Sequence, residues 1–302
     1  MKLFVPMTSA KTLLTKIDAA AGATLSSYHH LLYLSKFAQL FVPFESEKEI
    51  APNVYGVILP KRMTDLRTWF SKQGLDGIFM TSIREFDLLR QVAEIPIMMR
   101  LSSVRGYGGK TLNGILHCYS LMREYDCICP KSKWGKEFLS RYISDPSRIY
   151  PIPNGVDTDL FSPIPKEEAK VKVSQILKDE RILRQPVVGF VSRFQPEKGS
   201  MIFLDVARMN PDVLFLAVGP VVGDYKRFAG DNVIFTGYQP HDQLSLFYNA
   251  FDILCFPSVA AFELCSSVIL EGIACGLPIV ATGFDGVTEF LKDVGVLVEA
   301  YE

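Results

Sequence analysis

The chain has 302 residues, which is long for a single hydrophobic core and favours two domains. Hydrophobic residues make up 48% and charged residues 22% of it, which is typical of a folded globular protein and excludes a disordered one. No run of about eighteen uncharged apolar residues occurs, and the start lacks a small-residue cleavage site, so we expect a cytoplasmic protein with neither signal peptide nor membrane span.

The net charge of −1 hides a difference between the two halves of the chain. Residues 1–150 carry 20 Lys and Arg against 13 Asp and Glu, whereas residues 151–302 carry 12 against 20. A basic half is typical of a protein that meets an anionic acceptor or a membrane, so peripheral attachment to the inner face of a membrane is one interpretation. Attraction between the two halves is an equally good one. Basic and aromatic residues do not cluster together, which argues against nucleic-acid binding.

Cysteine and histidine give no sign of a metal site. The six cysteines show no CxxC spacing, and several lie in apolar runs, which is typical of reduced thiols in a cytosolic protein. The four histidines form no HExxH or similar pattern. We therefore expect no metal ion and no resident cofactor.

Apolar runs typical of strands alternate along the chain with segments of helical spacing, such as 84–93 and 133–142. This is the pattern of a parallel sheet covered by helices on both faces. The predicted strands of the first half are 2–5, 38–42, 54–59, 77–80, 96–100, 126–129 and 149–152. Those of the second half are 187–191, 213–218, 233–235, 253–256, 279–281 and 296–298. The predicted fold class is α/β, with two Rossmann-like, doubly wound domains.

The two halves are separated at residues 152–163, where proline and Asn-Gly signals break regular structure. We predict an N-terminal domain at 1–163, which includes this linker, and a C-terminal domain at 164–302. Two such domains leave a cleft at the carboxyl ends of their strands, where open α/β sheets bind ligands.

Two common nucleotide-binding motifs are absent or incomplete. Neither half carries GxGxxG after a predicted strand, so a dinucleotide-dependent oxidoreductase loses its main support. Residues 106–111 end like a phosphate-binding P-loop, but Val104 stands where that motif requires glycine. An NTPase is therefore disfavoured.

A loop with two cations follows the strand predicted at 187–191. Arg193 and Lys198 lie on it, ahead of a helix predicted near Ser200. Such a strand-to-helix loop stands at the cleft, so the planar guanidinium of Arg193 and the ammonium of Lys198 can neutralise a diphosphate there. Taken alone, both residues would more often be solvated surface residues.

The strongest local signal begins at Glu263 and runs through a short apolar helix that ends at Gly276. Ser266 or Ser267 suits the N-cap, so the free N–H groups and positive dipole end of this helix favour a phosphate. Glu271 lies about one turn into the helix. Burial of an unpaired carboxylate is costly, so Glu271 must either meet a protein partner, such as a lysine, or accept hydrogen bonds from a ligand, such as a ribose.

A third signal is a strand that ends at Gly237-Tyr238, where glycine lets the main chain approach a flat nucleobase. Together and in this order, these segments resemble family 4 of the retaining glycosyltransferases (glycosyl transferases group 1), which have the two-domain GT-B fold. The resemblance extends over about 149–298. The motifs that carry it are the linker 153–157, Arg193 with Lys198, the turn 235–238, Pro257-Ser258, the E-x7-E pair Glu263 and Glu271, and the segment 274–282.

The resemblance implies a nucleoside-diphosphate sugar bound by the C-terminal domain and a glycan or glycolipid acceptor bound by the N-terminal domain. It implies that Arg193 and Lys198 stabilise the departing diphosphate in place of a divalent metal, and that Glu263 faces the donor sugar. The donor-binding residues that it implies are Gly237 and Tyr238 at the base, Cys265, Ser266 and Ser267 through backbone amides, and Glu271 at the ribose. Members of the family retain the anomeric configuration by same-face attack, so no protein nucleophile is expected.

Departures from the family pattern leave other functions open. Cys265-Ser266 stands where the family usually has Phe-Gly. A family segment with histidine is replaced in the first half by 98–103, and Arg100, Arg105 or the pair His29-His30 are alternative residues there. One alternative function is a degenerate GT-B protein that binds a nucleotide sugar or polysaccharide without transfer. Another is a different GT-B enzyme, such as a sugar phosphorylase or a nucleotide-sugar epimerase.

Overall fold

The computed structural model describes residues 1–6, 33–44, 46–81, 86–101, 120, 122–260 and 263–299. The chain forms two compact units, Met1–Ile152 and Pro153–Glu302. The division falls at the start of the predicted linker, so residues 153–163 lie in the second unit. The incomplete phosphate-loop pattern at 106–111, Arg105 and the pair His29-His30 lie outside the described residues.

The described part of the first unit contains a sheet with these strands: β1 (Lys2–Phe4), β2 (Gln39–Pro43), β3 (Lys48–Ala51), β4 (Val54–Val57), β5 (Gly77–Met80), β6 (Ile97–Leu101) and β7 (Cys127–Pro130). Their order is β3-β4-β2-β1-β5-β6-β7, and each neighbouring pair is parallel except β3 and β4. Without β3 this is the 3-2-1-4-5-6 order of a Rossmann fold. The described helices of this unit are α1 (Met63–Lys72), α2 (Phe86–Val92) and α3 (Lys133–Leu139).

Two features of this sheet differ from the prediction. The apolar pattern does not predict β3, because Lys48 and Glu49 interrupt it; β3 pairs antiparallel at the sheet edge, where charged side chains keep access to water. Residues 149–152 do not form the predicted strand. Ile149 makes an isolated bridge with Ile128, and the N–H groups of Tyr150 and Ile152 donate to the carbonyls of Ile128 and Pro130. Pro130 has no N–H with which to donate back and continue the ladder. The other predicted strands of this half are confirmed to within about two residues at each end.

The second unit is built on a sheet with these described strands: β8 (Val187–Val191), β9 (Leu214–Val218), β10 (Val233–Gly237), β11 (Ile253–Phe256), β12 (Ile279–Gly283) and β13 (Val296–Glu299). All neighbours are parallel, and the order β10-β9-β8-β11-β12-β13 is again 3-2-1-4-5-6. Strands β8 and β11 have the predicted bounds, because strands covered on both faces appear in the sequence as unbroken apolar runs.

Helices cover both faces of the second sheet. The described ones are α4 (Lys166–Leu177), α5 (Arg181–Arg184), α6 (Ser200–Met209), α7 (Leu244–Ala250), α8 (Ser267–Ala274) and α9 (Asp285–Leu291). Leu214 and Leu216 belong to one core with Ile269 of α8, whereas the intervening Phe215 belongs to another core with Phe203 of α6. Alternate residues of one strand therefore pack on opposite layers, as expected of a doubly wound sheet. None of the helices in the described ranges is both long and apolar enough to cross a lipid bilayer.

Candidate functional site

Strands β8 and β11 lie side by side at the centre of the second sheet, and the chain leaves them in opposite directions. From β8 it passes through α6 to β9, whereas from β11 it passes through α8 to β12. The strand order therefore reverses between β8 and β11, where the loops beginning at Ser192 and Pro257 leave the carboxyl ends of the two strands. Open parallel sheets bind ligands at such a reversal.

Main-chain contacts hold these two loops against each other. The Val259 N–H donates to the Glu197 carbonyl at 3.0 Å. Gly199, at φ +74°, lies so close to Pro257 that a Cβ atom would stand 1.8 Å from the Pro257 carbonyl oxygen. Glycine alone fits both the left-handed backbone and this approach. The loop that carries Lys198 is therefore fixed against the loop that follows β11.

The structure brings together two of the predicted catalytic residues. Nζ of Lys198 lies 2.9 Å from Oε2 of Glu263, and 21% and 19% of the two side chains are exposed. Lys198 ends a short 3-10 turn, Pro196–Lys198, directly before α6. Arg193, the third predicted catalytic residue, is exposed and makes no hydrogen bond or ion pair with any residue in the described ranges. The two predicted cations of this loop thus differ, because only Lys198 has an acidic partner there.

The predicted helix beginning near Ser266 is confirmed as α8, Ser267–Ala274, and Gly276 follows it at φ +71°. Ser266 is the N-cap residue in extended conformation, but its hydroxyl makes no capping bond. The Leu270 N–H donates to the Ser266 carbonyl at 3.4 Å, so the N–H groups ahead of it emerge from the N-terminus of the helix. The positive end of the helix dipole therefore lies where the sequence predicts anion binding.

Two neighbours of this helix end, Asn154 and Gly286, hold its geometry. Nδ2 of Asn154 donates to the Cys265 carbonyl at 3.1 Å. The Gly286 N–H donates to the Glu263 carbonyl at 3.0 Å, and a Cβ on Gly286 would stand 2.0 Å from the Leu264 carbonyl oxygen. The backbone from Glu263 to Cys265 is thus fixed from both sides.

Glu271 lies in α8 with 7% of the residue exposed, and both of its carboxylate oxygens have protein partners. The Tyr248 hydroxyl donates to Oε2 at 2.7 Å, and Nε2 of His241 lies 3.2 Å from Oε1. Of the two predicted alternatives, Glu271 therefore has protein partners, although they are a tyrosine and a histidine and not a lysine. Burial, together with the negative charge of Glu271, raises the pKa of Tyr248 well above 10, so Tyr248 stays protonated and remains a donor.

Sequence reasoning missed Tyr248 and His241. Tyr248 lies on α7 and is fully buried, whereas His241 begins a 3-10 turn, His241–Gln243, shortly after β10 and is 28% exposed. One signal pointed to the histidine: it is the only one among residues 151–302, and the buried Glu271 requires a partner in the same half.

The predicted base-binding turn stands at the carboxyl end of β10, the edge strand separated from β8 by β9. Gly237 has φ +72°, and no atom lies within 4 Å of the position that a Cβ atom would occupy. Its carbonyl accepts a hydrogen bond from the Gly219 N–H at 2.9 Å, and Tyr238 beside it is 50% exposed. Main chain is therefore accessible at Gly237, as approach to a flat ligand requires.

One alternative residue of the first half is described. Arg100 lies on β6, is 6% exposed, and donates from Nη1 to the Ile152 carbonyl at 3.2 Å. This contact ties β6 to the segment after β7, which is a structural role. In the described parts of the chain, no three His, Cys, Asp or Glu side chains converge as a metal site would require.

Part of the chain matches known proteins in sequence. Residues 185–302 match the family described as glycosyl transferases group 1. A D-inositol 3-phosphate glycosyltransferase of Segniliparus rotundus is 33% identical over 177 residues, which is 53% of this chain and 38% of that protein. Its counterpart in Mycobacterium sp. (strain KMS) is 31% identical over 183 residues, 56% of this chain and 40% of that protein. The matched stretches thus span about two-fifths of these relatives.

Solved structures resemble the whole chain. Anabaena HepE in complex with UDP and glucose superimposes with a TM-score of 0.75 at 18% identity, covering 99% of this chain and 86% of that one. Sucrose-phosphate synthase from Thermosynechococcus elongatus gives 0.79 at 17% identity, covering 100% and 86%. The fold is therefore that of GT-B glycosyltransferases, with two Rossmann-like domains built on parallel sheets.

Proposed function

We propose that the protein is a retaining glycosyltransferase that moves a sugar from a nucleoside-diphosphate sugar to a glycan or glycolipid acceptor. The observation that carries this proposal is the contact between Lys198 and Glu263 where β8 and β11 reverse the strand order, with Glu263 four residues ahead of the start of α8 at Ser267. A cation, a carboxylate and the N-terminus of a helix thus follow the carboxyl ends of two neighbouring strands, which suits a sugar diphosphate. These residues all lie within the family match at 185–302.

The diphosphate is bound by Arg193, by Lys198 and by backbone amides at Cys265, Ser266 and Ser267. Arg193 has no acidic neighbour among the described residues, so its charge is available to a ligand. Lys198 must exchange Glu263 for a phosphate oxygen, which then releases the Glu263 carboxylate to accept hydroxyls of the donor sugar. The positive charges of Arg193 and Lys198 stabilise the leaving diphosphate, as a divalent metal does in other transferases. The proposed reaction therefore needs no metal ion.

The nucleoside is bound by Glu271 at the ribose and by Gly237 and Tyr238 at the base. A carboxylate accepts about four hydrogen bonds, so the contacts with Tyr248 and His241 leave Glu271 with capacity for ribose hydroxyls. The complexes of HepE with UDP and with UDP-glucose support uridine as the first base to test.

The sugar is transferred with retention of its anomeric configuration. The bond between the anomeric carbon and the diphosphate oxygen breaks while the acceptor oxygen bonds to the same face of that carbon. The departing phosphate takes the proton of the acceptor hydroxyl, so no side chain acts as a covalent nucleophile. The positive charges of Arg193 and Lys198 stabilise the leaving diphosphate.

The first unit binds the acceptor in this proposal. Its excess of Lys and Arg favours an anionic acceptor or an anionic membrane surface, which fits a cytoplasmic enzyme that works on the inner face of a membrane. The relatives named as D-inositol 3-phosphate glycosyltransferases make a phosphorylated polyol a sensible first acceptor to test.

Titration calorimetry with UDP, GDP and ADP tests the donor site. We expect one nucleotide to bind, and Arg193→Ala to weaken it about tenfold at an unchanged melting temperature, since an exposed side chain contributes little to folding. Arg184→Ala is the matched control, because Arg184 is also exposed and in the second unit but pairs with Glu180. Absence of binding to all three nucleotides would overturn the proposal.

Turnover assays then separate a transferase from a protein that only binds the donor. We expect nucleoside diphosphate to be released from the UDP-sugar when a phosphorylated polyol or glycan is added, and release to persist in EDTA. Binding without release under any acceptor would favour the degenerate GT-B alternative. Loss of release in EDTA, restored by Mg²⁺, would contradict metal-independent chemistry.

A further inference from the structure

Each oxygen of the Glu271 carboxylate has a partner within the protein. The Tyr248 hydroxyl, which is fully buried, lies 2.7 Å from Oε2, and Nε2 of the partly exposed His241 lies 3.2 Å from Oε1. Each carboxylate oxygen accepts about two hydrogen bonds, so each keeps one position for a further donor. Two adjacent ribose hydroxyls form a pair of donors that matches these two positions.

The imidazole ring of His241 is itself held in place. It makes an edge contact with Phe161 at 5.2 Å between ring centroids, and Phe161, which is 1% exposed, makes another with Tyr248 at 5.9 Å. Phe161 thus sets the position of both rings that contact Glu271. Because these partners are packed, the carboxylate is fixed on one side by a buried hydroxyl and on the other by a fixed imidazole.

The place of His241 in the chain connects two parts of the site. It begins the 3-10 turn that follows the Gly237 turn, and its ring reaches the carboxylate on α8. His241 therefore connects the segment proposed to bind the base with Glu271, the residue proposed to bind the ribose.

We propose that His241 is a positioning residue of the donor site, which orients the Glu271 carboxylate for the ribose 2′- and 3′-hydroxyls; this inference rests on the proposed function. A glutamate side chain loses rotamer freedom when a ligand fixes it, and this loss weakens binding. A carboxylate already held by His241 and Tyr248 has lost that freedom in the folded protein. Ribose recognition should therefore depend on His241 although its ring need not touch the nucleotide.

Nucleotides with and without ribose hydroxyls test this role. We expect His241→Phe, which keeps an aromatic ring against Phe161 but lacks the ring nitrogen, to raise the Kd of UDP about three- to tenfold. The Kd of 2′,3′-dideoxy-UDP should not change, because that nucleotide offers Glu271 no hydroxyl. His241→Gln, whose amide can still donate to Oε1, should recover most of the UDP affinity. In turnover the KM for the UDP-sugar should rise with kcat nearly unchanged.

Two controls isolate the contact with Glu271. Asp242→Asn changes an exposed residue of the same turn and should leave both affinities unchanged. In a Glu271→Gln background, His241→Phe should add no further loss of UDP affinity, since the carboxylate that it orients is gone. Equal losses for UDP and dideoxy-UDP would show a general structural effect and overturn the inference.

The outcomes distinguish this inference from the function on which it rests. If the wild-type protein binds UDP more tightly than dideoxy-UDP but His241→Phe behaves like the wild type, only the role of His241 is wrong. If the wild-type protein binds both nucleotides equally, ribose recognition by Glu271 is wrong and His241 has nothing to position. If it binds no nucleotide, the proposed function fails as well.

Discussion

The ammonium of Lys198 lies 2.9 Å from the carboxylate of Glu263, and only about a fifth of either side chain is exposed. A diphosphate that approaches Lys198 therefore competes with a charge already in place. Glu263→Gln keeps the shape of the side chain but removes that charge. We expect this variant to bind UDP about two- to fivefold more tightly, in line with the modest energy of a partly exposed ion pair.

The same variant should transfer sugar more slowly, because a neutral amide is a weaker acceptor for the sugar hydroxyls. Calorimetry with UDP and initial rates with the UDP-sugar measure the two effects separately. Glu197→Gln is the matched control, since Glu197 is an exposed carboxylate on the Lys198 loop that contacts Gln195 instead. Weaker UDP binding by Glu263→Gln would mean that Glu263 does not compete with the diphosphate.

Two glycines with left-handed backbone allow a matched test of the loop contact at the site. At Gly199, φ is +74° and a Cβ atom would stand 1.8 Å from the Pro257 carbonyl oxygen. At Gly276, in the same unit, φ is +71° and the nearest atom to that position is Cγ of Pro163 at 3.7 Å, an ordinary contact. We expect Gly276→Ala to lower the free energy of unfolding by about 1 kcal/mol, the cost of the backbone alone. Gly199→Ala should lower it by well over that amount and abolish nucleotide binding.

Urea denaturation and UDP titration of both variants check this expectation. Equal destabilisation by the two substitutions would show that the loops separate without cost. It would also mean that the position of Lys198 does not depend on the segment after β11.

The fold was largely predictable because its strands are buried on both faces. Val187–Val191 and Ile253–Phe256 are unbroken apolar runs, and both strands have the predicted bounds. Strand β3 was not predictable in this way, since Lys48 and Glu49 belong to an edge strand that needs no apolar pattern. The segment 149–152 shows the opposite failure: apolar residues suggested a strand, but a single bridge forms.

The site was predictable only where local sequence determines it. The position of its loop placed Lys198 at the cleft, the family resemblance placed Glu263 at the donor sugar, and the structure brings the two into contact. The environment of Glu271 depends instead on residues 23 and 30 positions away, Tyr248 and His241. Apolar neighbours in α8 showed that this carboxylate needs a partner, but spacing along the chain cannot identify one that comes from another element.

Removal of the Tyr248 hydroxyl should cost stability, because it leaves a buried Glu271 oxygen without its donor. We expect Tyr248→Phe to lower the free energy of unfolding of the second unit by about 1.5–3 kcal/mol, the range for a hydrogen bond to a charged group. A stable Tyr248→Phe variant with normal UDP binding would show that His241 alone suffices to hold Glu271.

The stability of the protein at alkaline pH tests the environment of Cys255, on the strand that precedes Glu263. Cys255 lies on β11, and burial raises the pKa of its thiol from 9.0 to about 12. Because the folded pKa is the higher one, the folded protein keeps this proton while the unfolded chain loses it as the pH passes 9. The stability associated with Cys255 is therefore fully present below pH 9 and is lost progressively up to about pH 12, by about 1.4 kcal/mol per pH unit.

Cys255→Ala should remove this dependence, although loss of the partly buried sulfur lowers stability by a constant amount. Urea denaturation of the second unit, with a reductant present, measures the difference in free energy of unfolding between wild type and variant. That difference should stay constant between pH 6 and pH 8, where the thiol is protonated in both states, and should shrink above pH 9. A difference that remains constant up to pH 11 would contradict a thiol that stays protonated on β11, the strand that leads to Glu263.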